Sequence, residues 1–225
     1  MSEKFTDEAL KELAAQLRCP NGEKGRAMAT RMYQTNTDML RQSLPFLELK
    51  AEHRILEIGH ASCKHLDVFF DVEPDISYFG LEKSKDMYQE AQKNQAAYIA
   101  SGKVQFFLSE SESLPFAGEM FERVITVNTL YFLADPLQFF KEIYQVLTVD
   151  GLFVLTFQAK DFIETLPFIQ YGFSLYDVIE VRQLLEEANF KIIAEEHFSE
   201  ETISKVGELV ERKYIVIKAQ KASAK

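Results

Sequence analysis

From Arg54 onward, short apolar runs alternate with segments of helical periodicity. This alternation is typical of a mostly parallel sheet that is covered by helices on both faces. We therefore predict a doubly wound α/β fold with a seven-stranded sheet. The predicted strands are Arg54–Ile58, Ser77–Leu81, Val104–Leu108, Val124–Val127, Leu152–Phe157, Lys191–Glu196 and Tyr214–Ala219.

Helix start and stop signals flank the apolar stripes between these strands. Ser84, Asp135 and Asp177 stand where N-cap residues are expected, and Pro136 occupies a first helical position. A short helix is predicted around Ser199–Val210, and the last two strands are close enough in sequence for one to be antiparallel. The other predicted helices are Asp7–Arg18, Gly25–Ser43 ending before Pro45, Ser84–Ser101, Pro136–Leu147 and Asp177–Ala188.

No internal repeat or long linker divides the 225 residues, which favours one domain over residues 1–225. Within it we expect an N-terminal helical cover at 1–50, a core at 51–220 and a tail at 221–225. The 47% hydrophobic composition is sufficient for a buried core. The sequence does not predict an oligomeric state.

The chain carries a net charge of −10, which opposes non-specific binding to nucleic acid or anionic lipid. Its apolar runs are much shorter than the roughly 20 residues of a membrane span. Two cysteines, Cys19 and Cys63, support neither a disulfide framework nor a cysteine zinc site. The N-terminus lacks the apolar stretch of a signal peptide. We therefore expect a cytoplasmic protein.

In doubly wound sheets, ligands bind beyond the carboxyl ends of the strands, where the strand order reverses. The first predicted strand ends at Gly59, and Glu82 follows 23 positions later at the end of the second. A carboxylate there can accept hydrogen bonds from both hydroxyls of a ribose. Alternatively, Glu82 is a structural residue and Gly59 only permits a tight turn.

Several further segments occur in the order found in one family. They are Ile55–Gly59, Gly80–Met87, Glu110–Phe116, Phe121–Phe132, the Asp135-Pro136 pair, Val146–Gly151, and an N-terminal group of Pro20, Asn21, Gly22, Gly25, Met32 and Asn36. Together they resemble the motifs of class I S-adenosylmethionine-dependent methyltransferases, particularly the quinone-biosynthesis-like, methyltransferase type 11 branch. The resemblance implies S-adenosylmethionine as cofactor. The cofactor-binding residues that it implies are Glu57, Gly59, Ala61, Glu82, Lys83, Met87, Glu110, Ser111, Asn128 and Thr129.

The glycine-rich loop departs from the family pattern, because Ala61 and Cys63 replace two glycines. Strain there of about 1–3 kcal/mol would weaken cofactor binding by roughly ten- to hundredfold. A nicotinamide-binding G-x-G-x-x-G motif would need glycine at both Ala61 and Lys64, so a dinucleotide oxidoreductase is disfavoured. Glu110 stands where the family usually has aspartate.

Where the methyl acceptor is a hydroxyl or an acidic carbon, a nearby base assists the reaction. His60 and Tyr131 are the candidates; the alternative for both is a packing role. Glu57 would face the amino group of the cofactor or, alternatively, order the turn. The spacing of the other histidines does not match that of metal ligands, so we expect His53, His65 and His197 at the surface or at helix ends. We expect Cys63 to be a buried thiol.

Aromatic residues are frequent in the expected acceptor-facing segments and would line an apolar pocket. These residues are Phe157, Phe162, Phe168, Tyr171, Phe173 and Tyr176. The N-terminal segment would close over the crevice as a lid through Arg26, Met28, Arg31, Met32 and Tyr33, or simply pack on the sheet.

The predicted activity is methyl transfer to a small, apolar or ring-containing acceptor. The alternatives are a nucleoside-binding protein without turnover and a partner-binding scaffold. A nucleic-acid methyltransferase is disfavoured, because Asn128-Thr129-Leu130-Tyr131 replaces the expected Asn/Asp-Pro-Pro-aromatic motif.

Overall fold

The computed structural model describes residues 5–109 and 113–222. Seven strands form one sheet in the order β3-β2-β1-β4-β5-β7-β6. Strands β1 to β5 pair in parallel, whereas β7 is antiparallel to both β5 and β6. The strands are Arg54–Ile58 (β1), Ser77–Glu82 (β2), Val104–Leu108 (β3), Phe121–Val127 (β4), Leu147–Gln158 (β5), Phe190–Ile203 (β6) and Leu209–Lys221 (β7). The predicted doubly wound fold and its antiparallel end are confirmed.

Among the residues that the structure describes, two helices precede β1, and the other six lie between strands. They are Asp7–Arg18 (α1), Gly22–Leu47 (α2), Asp67–Val72 (α3), Lys85–Asn94 (α4), Ala96–Ala100 (α5), Pro136–Val146 (α6), Lys160–Ile163 (α7) and Val178–Glu187 (α8). The predicted caps are present: the side chains of Ser84, Asp135 and Asp177 each accept a hydrogen bond from a backbone N–H of the first turn. None of the helices in the described parts of the chain has the length and hydropathy needed to span a bilayer.

Two helix predictions differ from the structure, one at its end and one in its interior. Helix α2 continues through Pro45 to Leu47, because proline removes only one hydrogen bond near the end of a helix while Leu44 and Leu47 are buried in the core. The predicted single helix Ser84–Ser101 is interrupted at Gln95. At this interruption, the side-chain amide of Gln95 donates to the carbonyl oxygen of Cys63 at 2.5 Å.

The helix predicted around Ser199–Val210 is also wrong, since these residues form the distal part of a β6–β7 hairpin. Cross-strand polar pairs stabilise this hairpin, including Ser199 with Glu211 and Arg212 with Glu200. The turn closes through a 2.7 Å hydrogen bond from the Ser204 N–H to the Glu208 carbonyl, with Gly207 at a φ of +88°. The hairpin residues therefore satisfy their backbone groups across strands.

Side chains that alternate along the strands separate the core into two layers. Ile55 and Tyr78 face a layer covered by α2, α3 and α4. Leu56 and Phe79 face the opposite layer, which α6 and α8 cover. Helix α1 packs at a separate small cluster with Phe168. This two-sided burial explains why the central strands are apolar on both faces.

Candidate functional site

The strand order reverses between β1 and β4, because the chain proceeds from β1 toward β3 on one side and from β4 toward β6 on the other. A cavity of about 220 Å³ opens beyond the carboxyl ends of these two strands, as expected for a ligand site in this architecture. We refer to it as the crevice. Its lining from the strand-end loops comprises Glu57, Gly59, His60, Ala61, Glu82, Lys83, Asn128, Thr129 and Tyr131.

The loop after β1 adopts the left-handed conformation at three alternate residues. The φ angles are +81° at Gly59, +51° at Ala61 and +49° at Cys63. A Cβ atom on Gly59 would lie 2.6 Å from Cγ2 of Thr129, so only glycine fits there without rearrangement. Alanine and cysteine in this conformation each cost roughly 1–2 kcal/mol. The predicted strain at positions 61 and 63 is therefore present in the backbone.

Hydrogen bonds from two other elements hold this loop in place. The N–H of Ala61 donates to Oε2 of Glu82 at 2.8 Å. At the end of α4, Nδ2 of Asn94 donates to the carbonyl oxygen of Ser62 at 2.9 Å, next to the contact of Gln95 described above. These contacts hold the backbone of the turn in its strained conformation. Sequence reasoning missed both amides, because only the interruption between α4 and α5 turns them toward the loop.

The Glu82 carboxylate lies at the end of β2 and is only 6% exposed. Its Oε1 accepts hydrogen bonds from the backbone N–H groups of Lys83 and Ser84 at 2.9 and 2.8 Å. Its Oε2 accepts only the Ala61 N–H among the described contacts, and a carboxylate oxygen can accept a second hydrogen bond. Glu82 therefore has a fixed orientation and remaining acceptor capacity at the crevice.

Glu57 is buried at the floor of the crevice beside His65 and Tyr78. Nε2 of His65 lies 2.9 Å from its Oε2, and the Tyr78 hydroxyl donates to the same oxygen at 2.5 Å. Burial alone would raise the pKa of Glu57, but His65 and these hydrogen bonds hold it below the ordinary value of 4.5. Of the two positions expected for His65, the helix end matches better than the surface, since it lies two residues before α3 and its side chain is only 14% exposed. These contacts match the turn-ordering alternative for Glu57.

Cys63 completes a group of ligand-type side chains with Glu57 and His65, whose atoms lie within 4.8 Å of one another. Its Sγ atom is 3.4 Å from the Tyr78 hydroxyl. Burial raises the pKa of the Cys63 thiol well above its ordinary range, in keeping with the buried thiol expected from the sequence. The four side chains thus form a hydrogen-bonded network beneath the loop.

We expect Glu57 to make folding sensitive to acid. Because its pKa is lower in the folded than in the unfolded protein, its stabilising contribution is present above about pH 4.5 and is lost as the pH falls below that value. Urea unfolding at about pH 5 and about pH 3 should show a larger stability loss for the native protein than for Glu57→Gln. Glu12→Gln, at an exposed site, should retain the native pH dependence. Equal losses in native protein and Glu57→Gln would contradict this role.

The His60 ring is 1% exposed and packs against Phe106, with ring centroids 4.8 Å apart. A Cβ atom on Gly80 would lie 2.6 Å from its Cδ2 atom, so the glycine of β2 leaves the space that the ring fills. Burial lowers the pKa of His60, which favours the neutral ring. Nδ1 lies 2.9 Å from the Ala61 carbonyl, whereas Nε2 is buried without a hydrogen-bond partner in the described residues. This environment favours packing over proton transfer.

The loop after β4 is organised around Tyr131. Its hydroxyl donates to Oδ1 of Asn128 at 3.1 Å and accepts the backbone N–H of Gln158. Burial raises the pKa of Tyr131 far above its ordinary value, so the phenol stays protonated. Asn128 has a φ of +59° and donates from Nδ2 to the sulfur of Met39 in α2. Tyr131 thus holds Asn128 at the crevice, and its raised pKa favours the protonated phenol over the phenolate that would act as a base.

The remaining predicted residues divide between the crevice and the core. Met32 and Tyr33 of α2 line the crevice together with Phe162, Phe168 and Phe173. Met87 and Phe157 are fully buried in the core and do not line the crevice. Four further residues of the predicted pocket and lid are also absent from the crevice lining: Arg26, Met28, Tyr171 and Tyr176. Glu110 and Ser111 lie outside the described residues.

Comparison with known proteins supports the resemblance found in the sequence. Residues 56–155, which contain the β1 loop, Glu82 and the β4 loop, match the family model described as a methyltransferase domain. This match covers 100 of the 225 residues. It agrees with the predicted resemblance to class I S-adenosylmethionine-dependent methyltransferases, which use S-adenosylmethionine as cofactor.

Individual relatives of this methyltransferase domain are distant. The biotin biosynthesis bifunctional protein BioHC of Teredinibacter turnerae is 27% identical over 125 residues, which cover 55% of this chain and only 21% of that protein. The methyltransferase in complex with the Trm112 methyltransferase activator of Haloferax volcanii has a TM-score of 0.75 at 15% identity, covering 88% of this chain and 95% of the other. A SAM-dependent methyltransferase of Aquifex aeolicus has a TM-score of 0.63 at 16% identity, covering 96% and 99%. The structural likenesses establish the fold.

The residues of the crevice fit S-adenosylmethionine in their chemistry. Glu82 offers an acceptor suited to a sugar diol, and the absence of a Cβ atom at Gly59 lets the Thr129 side chain approach the β1 loop beside the crevice. Leu81 and Leu114 add apolar surface in the same crevice. The strained loop keeps the positive φ angles at all three alternate positions. The substitutions at Ala61 and Cys63 thus retain the turn at an energetic cost.

Proposed function

We propose that the protein transfers a methyl group from S-adenosylmethionine to a small, apolar or ring-containing acceptor. The observation that carries this proposal is one crevice with a chemically mixed lining. The lining includes the Glu82 carboxylate and the β1 loop together with the aromatic side chains of Phe162, Phe168 and Phe173. Asn128 and Thr129, at the end of β4, also line the same crevice.

In this proposal, Glu82 binds the ribose while Gly59, Ala61 and Lys83 surround the nucleoside. Asn128 and Thr129 contact the methionine end, and Glu57 acts there through the hydrogen-bonded network beneath the loop. Glu110 and Ser111 are proposed to cover the adenine, as the family resemblance implies. Met87 is then a core residue that supports Glu82 from α4, since its backbone N–H donates to the Ser84 cap.

When bound, the cofactor supplies an activated methyl group that is transferred by in-line displacement. The protein then contributes mainly alignment and exclusion of water. Helices α1 and α2 line the outer side of the crevice through Leu17, Met32 and Tyr33. Arg18 of α1 also donates to the carbonyl oxygen of Phe132, which joins this cover to the β4 loop. These contacts support the lid role of the N-terminal segment.

A second candidate function is a nucleoside-binding protein that has lost turnover. The left-handed backbone at Ala61 and Cys63 favours it, because strain there weakens cofactor binding. Calorimetry with S-adenosylmethionine and S-adenosylhomocysteine tests the ligand binding that both candidate functions require. We expect binding of both compounds, and mass spectrometry of the purified protein should detect a bound nucleoside. An absence of binding at high micromolar ligand would contradict both candidates.

Turnover distinguishes the enzyme from the binding protein. Incubation with methyl-labelled S-adenosylmethionine and a pool of small apolar and aromatic acceptors should transfer label to an organic-soluble product. Binding of both cofactor forms without transfer to any pool member would favour the binding protein.

We also propose a small-molecule acceptor over nucleic acid, because of the −10 net charge. The free thiols of Cys19 and Cys63 support the proposed cytoplasmic location.

Tyr131→Phe tests the assignment of Tyr131 as a fixed hydrogen-bonding group. The variant removes the acceptor of the Gln158 N–H and the donor to Asn128. We expect a loss of roughly 1–3 kcal/mol in the free energy of unfolding, because the partly buried N–H of Gln158 is left unpaired. Urea denaturation measures this loss, and Tyr33→Phe, at a more exposed crevice position, is the control. Unchanged stability of Tyr131→Phe would contradict the assignment.

A further inference from the structure

Three cationic side chains meet where the tip of the β6–β7 hairpin contacts α2. Nη2 of Arg31 donates to the carbonyl oxygen of Ser204 at 3.2 Å. Nζ of Lys205 donates to Oγ1 of Thr35, and Nη2 of Arg212 donates to the carbonyl oxygen of Thr35. We call Arg31, Lys205 and Arg212 the cation cluster. Lys205 and Arg212 both line the crevice.

The positive charge of this cluster is only partly balanced. Arg212 is paired with Glu200 of β6, which is bound through both Nε and Nη2. Lys205 makes no ion pair with any residue of the described ranges, and the charges that act on it are those of Arg212 and Arg31. One carboxylate therefore faces three cations, although the whole chain carries a net charge of −10. An unbalanced cation inside a partly buried crevice is costly unless a ligand supplies the counter-charge.

Helix α2 relates the cation cluster to the proposed site of methyl transfer. Thr35 and Asn36 contact the cluster, and Met39 contacts Asn128 at the end of β4. These two contact points are one helical turn apart, which is about 5.4 Å along the axis. The crevice also contains Phe162 and Phe168. A ligand with an apolar body near Asn128 can therefore place a polar end group at Lys205.

We propose that the acceptor is an anionic compound, in which an apolar or aromatic body carries a carboxylate or phosphate group that binds to Lys205 beside Arg212. This inference rests on the proposed methyltransferase function and narrows its substrate class. Lys205 supplies a compact charge with three donors, of which Thr35 engages one. Arg212 and Arg31 raise the local positive potential while their own hydrogen bonds keep them in place.

The ionisation of Lys205 agrees with such a role. Burial, followed by the charges of Arg212 on β7 and Arg31 on α2, lowers the pKa of Lys205 to about 7. An anion beside the ammonium group would favour the charged form and raise this pKa. Anion binding should therefore weaken as the pH rises from about 6 to about 9. The carboxylate beside this group of cations is that of Glu200 on β6, which pairs with Arg212.

The test compares matched anionic and neutral probes by calorimetry, with and without S-adenosylhomocysteine. The pairs are octanoate and octanamide, benzoate and benzamide, and phenyl phosphate and phenol. We expect at least one anion to bind roughly thirtyfold or more tightly than its neutral partner. Carboxylate and phosphate arms identify which oxyanion is preferred. This preference should disappear in Lys205→Gln and persist in Lys205→Arg, whose anion affinity should also be independent of pH across the same range.

Lys213→Gln is the matched control, because Lys213 follows Arg212 on the same strand but pairs with the exposed Asp161. It should keep the native preference for anions. The inference is overturned if no anion binds more tightly than its neutral partner, or if Lys205→Gln keeps the preference. Titration of S-adenosylhomocysteine into Lys205→Gln separates the two proposals: an unchanged dissociation constant assigns the cluster to the acceptor, whereas a weakened one assigns it to the cofactor and overturns the inference. Failure of the native protein to bind S-adenosylhomocysteine contradicts the proposed function instead.

Discussion

Replacing Glu82 by glutamine is expected to weaken binding of S-adenosylhomocysteine by roughly a hundredfold. The carboxylate accepts N–H groups from both sides, from Ala61 at Oε2 and from Lys83 and Ser84 at Oε1. A glutamine amide has one acceptor oxygen and one NH₂ donor. Whichever way it is oriented, the NH₂ group faces backbone donors. With its oxygen toward Lys83 and Ser84, the variant loses both the proposed ribose acceptor and the Ala61 contact that holds the strained loop. With the opposite orientation, its NH₂ group faces the N–H groups of Lys83 and Ser84, and the side chain no longer stays in the native position.

Calorimetry measures the loss of S-adenosylhomocysteine affinity in Glu82→Gln directly. Glu90→Gln in α4 is the control, because it makes the same chemical change at a side chain that pairs only with Lys93 in the described structure. It should bind S-adenosylhomocysteine like the native protein. Native affinity in Glu82→Gln would exclude Glu82 as the ribose ligand. A folded variant, verified by circular dichroism, is required for the comparison.

Gly59→Ala is expected to lower the free energy of unfolding by roughly 2–4 kcal/mol. Two causes add: alanine is strained at a φ of +81°, and its Cβ atom would lie 2.6 Å from Cγ2 of Thr129. Gly102→Ala separates these causes, since Gly102 has a φ of +77° but no atom within 4 Å of an added Cβ. It should lose only the backbone part, roughly 1–2 kcal/mol.

Thr129→Ser removes the methyl group that an alanine at position 59 would meet. It retains the hydroxyl that lies 2.6 Å from Oγ1 of Thr126. In the Gly59→Ala background, Thr129→Ser should restore the part of the stability that is due to steric overlap, measured by urea denaturation as a double-mutant cycle. Additive effects of the two substitutions would show that Gly59 and Thr129 do not contact each other in this way.

Much of the fold was predictable because its signals are local. The caps Ser84, Asp135 and Asp177 fix helix starts through contacts within one turn. Apolar runs covered on both faces predict central strands, and all seven were located. The hairpin beyond Ser199 was not, because its distal residues are stabilised by cross-strand pairs such as Arg212 with Glu200. Residues 12 positions apart in sequence give no periodic signal.

The candidate site was only partly predictable for the same reason. Gly59 and Glu82 could be predicted as site residues, because each lies at the end of a predicted strand. The cation cluster combines Arg31 from α2 with Lys205 and Arg212 from the hairpin, which are far apart in sequence. The roles of Asn94 and Gln95 depend on the break between α4 and α5. Neither arrangement has a sequence motif that would have revealed it.

The sequence by itself determined the alternation of strands and helices, the position of the turn after β1 and the acidic residue that follows β2, because each depends on neighbours within a few residues. The tertiary structure decided that His60 packs under the loop against Gly80, that Tyr131 stays protonated, and that Lys205 reaches the crevice from the hairpin. Burial and charge at a side chain depend on segments that meet only after folding, and these two quantities set its protonation and its available partners.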